Sequence, residues 1–168
     1  MFLTRCPSPL GGMILLSDGD ALTALYFDGQ KHLPPELPAP CKDAETPDVL
    51  RQTIRWLDAY FSASPLPAPP PLSPRGTPFQ MAVWALLAEI PYGETTTHSR
   101  LAEKLRERGV PASPRAVGGA VGRNPISILL PCHRVLGANG SLTGYAGGLE
   151  RKRYLLDWER THPLRTDK

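Results

Sequence analysis

The sequence predicts an α+β fold: a small amino-terminal sheet-plus-helix domain over residues 1–75, then a helical domain with a winged helix-turn-helix over residues 76–168. Three observations predict it. Short apolar runs separated by turn residues fill the first 27 positions, six prolines crowd residues 65–74, and everything after them is helically spaced and tightly punctuated. At 168 residues the chain is long enough for one good core or two small ones.

The strands come first. Residues 2–5, 13–17 and 22–27 are rich in Leu, Ile, Thr and Phe, and Pro9-Leu10-Gly11-Gly12 and Asp18-Gly19-Asp20 supply the turns between them. Over 48–61 the spacing changes: Val49, Ile54, Leu57 and Phe61 recur every three or four residues behind Thr46-Pro47, so a helix is predicted. No chemical constellation stands in this half, and scaffolding is its expected role. Pro65, Pro67, Pro69, Pro70, Pro71 and Pro74 then form an extended connector, since proline supplies neither helix nor central strand.

Thr77-Pro78-Phe79-Gln80 is a capping-box sequence with proline at the first helical position. The helix it opens lines up Phe79, Val83, Leu86, Leu87 and Ile90 and stops at Pro91. A second helix is expected over about 98–108, burying Leu101, Ala102 and Leu105. A third opens at Ser113-Pro114 and runs to Gly122 before Asn124-Pro125. Two helices joined by a short turn suggest a helix-turn-helix. The third carries Gly118, Gly119 and Gly122, each costing about 1 kcal/mol against alanine in a helix interior. Close approach of a partner's backbone accounts for them, and so does tight packing on a neighbouring helix; the sequence leaves both open.

Charge and cysteine usage narrow the class. Residues 1–74 hold five Lys/Arg against eight Asp/Glu, whereas residues 75–168 hold fourteen against eight. A basic second half suggests a polyanionic partner. Three cysteines at irregular spacing argue against a disulfide framework and for a reducing, cytoplasmic setting. Cys6, His32 and Cys41 lack zinc-ligand spacing, so no metal is expected. Met13-Ile14-Leu15-Leu16 is too short for a signal peptide or a membrane span.

The chemistry concentrates in Leu129-Leu130-Pro131-Cys132-His133-Arg134-Val135, where a thiol stands beside an imidazole. A thiolate is the nucleophilic form of cysteine, and imidazole is a base able to generate it near neutral pH. Adjacent side chains diverge, so a water relaying the proton between Cys132 and His133 is the expected geometry.

These pieces together resemble the O6-alkylguanine-DNA alkyltransferases. The matching stretches are Gly76-Thr77-Pro78-Phe79-Gln80, Ile90-Pro91-Tyr92-Gly93-Glu94-Thr95, Arg115-Ala116-Val117-Gly118-Gly119-Ala120, Asn124-Pro125, Pro131-Cys132-His133-Arg134-Val135 and Gly144-Tyr145-Ala146-Gly147-Gly148. The resemblance implies DNA repair: minor-groove binding, flipping of O6-alkylguanine out of double-stranded DNA, and irreversible single-turnover transfer of its alkyl group to Cys132. It implies no cofactor, no obligate protein partner and a monomer. By the same resemblance His133 is the base and Glu159 the acid that fixes its tautomer, while Asn124 ties the helix-turn segment to the cysteine loop. Arg115 matches the residue that takes the flipped base's place; Ala116, Gly119 and Ala120 would lie on the sugar-phosphate walls, and Arg123 would contact phosphate. In the pocket, the Val135 carbonyl would accept from the guanine amine, Tyr145 would wall the alkyl group, and Ala146 N–H would reach the departing oxygen.

His98 departs from the pattern, standing where the family usually has a tyrosine that donates to guanine N3. Either His98 donates in its place, or Tyr92 or a backbone group substitutes; because an imidazole changes charge near neutral pH, repair is expected to vary with pH more than in tyrosine-bearing relatives. Three other functions compete with this one. A Cys-His hydrolase is permitted by Cys132, His133 and Glu159 but leaves the small-residue helix without purpose. A winged-helix transcription factor needs no nucleophile, and a non-repairing damage binder of the same fold lacks the cysteine.

Overall fold

A computed structural model describes residues 1–164; the last four positions of the predicted second domain lie outside the described residues. Strands β1 (Phe2–Cys6), β2 (Met13–Ser17) and β3 (Leu22–Phe27) form an antiparallel meander in the order β1-β2-β3. The first turn is closed by Ser8 and Gly11, whose backbones exchange hydrogen bonds of 3.0 and 3.1 Å. In the second, Asp18 Oδ1 accepts from the N–H groups of Asp20 and Ala21. Every residue of β2 is buried, because the sheet is covered on both faces. Met13 and Leu15 face the main core, while Ile14 and Leu16 join Leu3 and Ala24 in a smaller cluster on the other side. Alternation along the strand dictates that split.

Helix α1 (Asp48–Phe61) lies on β2 and β3 through Val49, Leu50, Thr53, Trp56, Leu57 and Tyr60. The proline connector is pinned to the outer edge of β3, where Leu22 N–H donates to the Pro71 carbonyl and Ser73 N–H to Leu22, both at 2.8 Å. Residues 125–127 use the same edge, pairing with Leu25 at 2.9 and 3.0 Å. The sheet edge is thereby closed by the segment that leads to Cys132.

Helix α2 (Pro78–Leu87) starts with the predicted capping box: Thr77 Oγ1 accepts from Gln80 N–H at 3.1 Å and Gln80 Oε1 from Thr77 N–H at 3.0 Å. It ends at Leu87 rather than Ile90, because Glu89 and Ile90 donate three residues back and tighten the last turn. Ile90 stays buried nonetheless. Strand β4 (Thr96–Thr97) leads into α3 (His98–Glu107), and α4 (Pro114–Gly122) follows; the three helices pack together. A 3₁₀ turn over Cys132–Arg134 precedes β5 (Val135–Leu136), which pairs in parallel with β4, and α5 (Leu149–Thr161) closes the chain against that turn. One continuous apolar cluster runs from Met13 and Leu25 through Leu57 and Val83 to Leu155. The two predicted domains share that core.

Candidate active site

The Cys132 loop is aimed by Asn124. Its Nδ2 donates to the Leu130 carbonyl at 2.7 Å and to Ile126 at 3.3 Å, while its Oδ1 accepts from Ile126 N–H at 2.9 Å. Asn124 is buried and does more than end α4. The loop is tight: Ile128 holds φ at 69°, a left-handed conformation that strains a β-branched residue, and Cys132 N–H bonds back to Leu130 at 2.7 Å. Cys132 itself is 6% exposed. Burial pushes its thiol up, while a hydrogen bond from Asn124 and the charge of Lys152 pull the other way without winning. The thiol is therefore protonated at rest, and ionisation waits for a base.

The neighbouring imidazole is held in place. His133 is fully buried, and its Nε2 donates to Glu159 Oε2 at 2.7 Å. The tautomer follows from the partner, because an ionised carboxylate only accepts. Nδ1 is left as the acceptor, buried and without a protein hydrogen bond among the described residues. Burial holds His133 below the ordinary histidine value, outweighing the opposing hydrogen bond from Glu159. Glu159 also accepts from Arg134 Nε at 2.8 Å, Arg134 Nη2 at 2.9 Å, Tyr60 O–H at 2.6 Å and Gly93 N–H at 3.0 Å. Burial alone would raise this carboxyl; its bonds to His133 and Arg134 hold it far below the usual range.

Sequence reasoning missed Arg134, Tyr60 and Lys152. Lys152, Leu155 and Glu159 follow helical spacing and are all buried on α5, so an inward stripe containing a lysine and a glutamate was the available signal. Lys152 Nζ donates to the Val135 carbonyl at 2.5 Å and to Thr143 at 2.9 Å. The Val135 oxygen thus keeps one lone pair for any further donor.

Tyr145 is buried, with its ring 6.5 Å from Phe27 and its hydroxyl unpartnered among the described residues. The amino-terminal half grips its loop. Lys31 N–H donates to the Ala146 carbonyl at 2.9 Å, and Arg151 bonds to the carbonyls of Leu10, Gly147 and Asp28 while lying over the Phe27 ring. A Cβ at Gly147 would come within 2.6 Å of Tyr145 and 3.0 Å of Phe27, so glycine is required there.

His98 opens α3, half-buried beside α4, where a Cβ at Gly118 would touch its ring at 3.7 Å. Burial, then the charge of Lys152, lowers its pKa. It is accordingly a neutral imidazole at neutral pH, and the expected charge variation there moves to the acid side.

The outer face of α4 answers the question its glycines posed. A Cβ at Gly119 or Gly122 would meet nothing within 4 Å, so packing within the protein does not require them. Arg115, Ala116, Gly119 and Arg123 are exposed together on or just after this helix. Ala120 corrects the expectation: it is 4% exposed and turned to the core, and its carbonyl accepts from the Trp84 indole at 2.8 Å. A residue three positions after an inward Val117 returns to the inward face.

Residues 78–161 match the family described as 6-O-methylguanine DNA methyltransferase, DNA binding domain, and residues 1–74 its ribonuclease-like domain. The chain is 43% identical over 161 residues to a methylated-DNA–protein-cysteine methyltransferase of Haemophilus influenzae, covering 95% of this chain and 87% of that protein. It is 42% identical over 160 residues to the Methanosarcina acetivorans protein of the same description, covering 95% and 98%. A crystal structure of Mycobacterium tuberculosis OGT in complex with DNA superposes with a TM-score of 0.83 at 38% identity, covering 98% of this chain and 96% of that one.

Proposed function

This chain belongs to the 6-O-methylguanine DNA methyltransferase family, and from that premise we propose that Cys132 takes the alkyl group of an O6-alkylguanine flipped out of duplex DNA. It is a methylated-DNA–protein-cysteine methyltransferase, a DNA-binding repair protein that transfers the alkyl group to itself irreversibly and once. The observation that carries the residue assignment is the buried pair Glu159–His133, with an Nδ1 unpartnered among the described residues and one residue from a buried thiol.

The step is an in-line displacement. Cys132 Sγ forms a bond to the alkyl carbon as the carbon–O6 bond breaks, and the thiol proton passes through one water to His133 Nδ1. Glu159 supports the imidazolium that results, and the ammonium of Lys152 favours the thiolate on the way. The departing guanine carries negative charge, which the N–H of a neutral His98 and the backbone N–H of Ala146 meet by hydrogen bonding. The Val135 lone pair not taken by Lys152 accepts from the base's amine, and Tyr145 walls the alkyl group. No cofactor takes part. Arg115 fills the vacated stack, Ala116 and Gly119 lie against the backbone, and Arg123 meets phosphate. The protein acts as a monomer.

Intact-protein mass after incubation with duplex containing O6-methylguanine tests this reading. One methyl per molecule is expected, on Cys132, with none for Cys132→Ser. Wild-type protein of unchanged mass would overturn it.

A further inference from the structure

Tyr60 stands on the last turn of α1, in the half of the chain expected only to scaffold, and 99 positions before Glu159. Its hydroxyl nevertheless donates at 2.6 Å to Oε2, the oxygen that His133 Nε2 reaches at 2.7 Å. The ring has no freedom to withdraw. It is 1% exposed, stacked on Trp56 at 5.4 Å and set edge-on to Phe61 and Tyr92 at 5.0 and 5.9 Å. Its carbonyl accepts from the Trp158 indole at 3.0 Å, so α5 is tied to the same turn of α1. Phenylalanine would fill this space equally well. The hydroxyl therefore calls for a separate reason.

We propose that Tyr60 is a positioning residue of the alkyl-transfer relay, sharing Glu159 Oε2 with His133 and thereby limiting how strongly that carboxylate supports the imidazolium. The proposal rests on the reading of Cys132, His133 and Glu159 as that relay. A donor on a carboxylate oxygen stabilises its charge and weakens its pull on a neighbouring proton. With too strong a pull, His133 would keep a proton at rest and have no lone pair for the thiol's. The other groups facing this pair are Arg134 on the 3₁₀ turn, Lys152 on α5, Tyr92 after α2 and Tyr145. Arg134 brings a full positive charge; Tyr60 brings a hydrogen bond without one. Burial first, and then the Glu159 charge, push its phenol far above the ordinary tyrosine range, so it remains a donor at every pH at which the protein is folded.

Two substitutions at position 60 move the donor in opposite directions. Tyr60→Phe removes it, and a site-specific 3,5-difluorotyrosine strengthens it at nearly constant size. The acid limb of the alkyl-transfer rate should rise by about half a pH unit in the first and fall in the second, roughly the effect of one hydrogen bond. The ring ¹⁵N signals of His133, followed through the same titration without DNA, should shift in parallel. Limbs and signals that stay in place, or that move the same way in both proteins, overturn the proposal; a change in rate at all pH values with no shift of the limb marks a packing role and does the same. If Tyr60→Phe fails to fold, the fluorinated protein decides alone. Failure of methyl transfer in wild-type protein, with the His133 titration moving as stated, would strike the repair reading and leave Tyr60's influence on His133 intact.

Discussion

Glu159 shows how much one side chain can hold at the residue scale. Replacing it with glutamine leaves Arg134 buried without its counter-charge, which costs about 3–5 kcal/mol by the measure of other broken buried pairs. Urea unfolding checks that figure, and transfer should slow about a hundredfold as His133 loses the carboxylate charge that supports its protonated form. The pH dependence follows from the same atoms. His133 and His98 both lie below the ordinary histidine value when folded, so the unfolded chain takes up protons first as pH falls. Stability from these groups is complete above about pH 6.5 and drains away below it. The depressed Glu159 adds a second loss below the ordinary glutamate range near about 4.3. Transfer should accordingly be flat from neutral pH upward and fall in acid; a maximum at acid pH would contradict the assignment of His133 as base. Cys132 and His133 were legible because they are adjacent in the chain. Tyr60 was not, because only the packing of α1 against α5 brings it to them.

For the elements, α4 makes the sharpest prediction. Gly119→Ala meets no protein atom, so helix propensity should leave stability unchanged or raise it by up to about 1 kcal/mol. Binding to duplex should nonetheless weaken if α4 is the proposed interface, because the added methyl would then stand between it and the DNA backbone. Thermal melting and a binding titration on one sample measure both signs, and equal directions would remove α4 from the interface. Thr77→Ala removes one half of the capping box of α2 and should cost about 1 kcal/mol. Capping and turn chemistry made these elements readable, with 48–61 read to the residue. The end of α2 and the inward turn of Ala120 were not, since apolar spacing continues past Leu87 and small residues give no sign of their facing.

Over the whole molecule, the proline connector divides the sequence into two domains, and the core, the sheet edge and the Arg151 contacts join them. A fragment over residues 76–168 should therefore fail to fold alone, and the full chain should unfold in urea as one transition. Two separate transitions would count against a shared core. The basic second half predicts a steep fall of DNA affinity with salt. Cross-domain contacts of this kind leave no periodic signature in a sequence, which is why the division was legible and the union was not.

The closed setting of Cys132 has one more consequence. A reagent that works a single time is ruined by any stray electrophile or peroxide that reaches it first, and such agents attack the ionised sulfur. Keeping this sulfur desolvated and protonated until a lesion arrives gives the idle protein a long shelf life. Iodoacetamide should mark the more open Cys41 well before Cys132, in an order that peptide mapping reads directly.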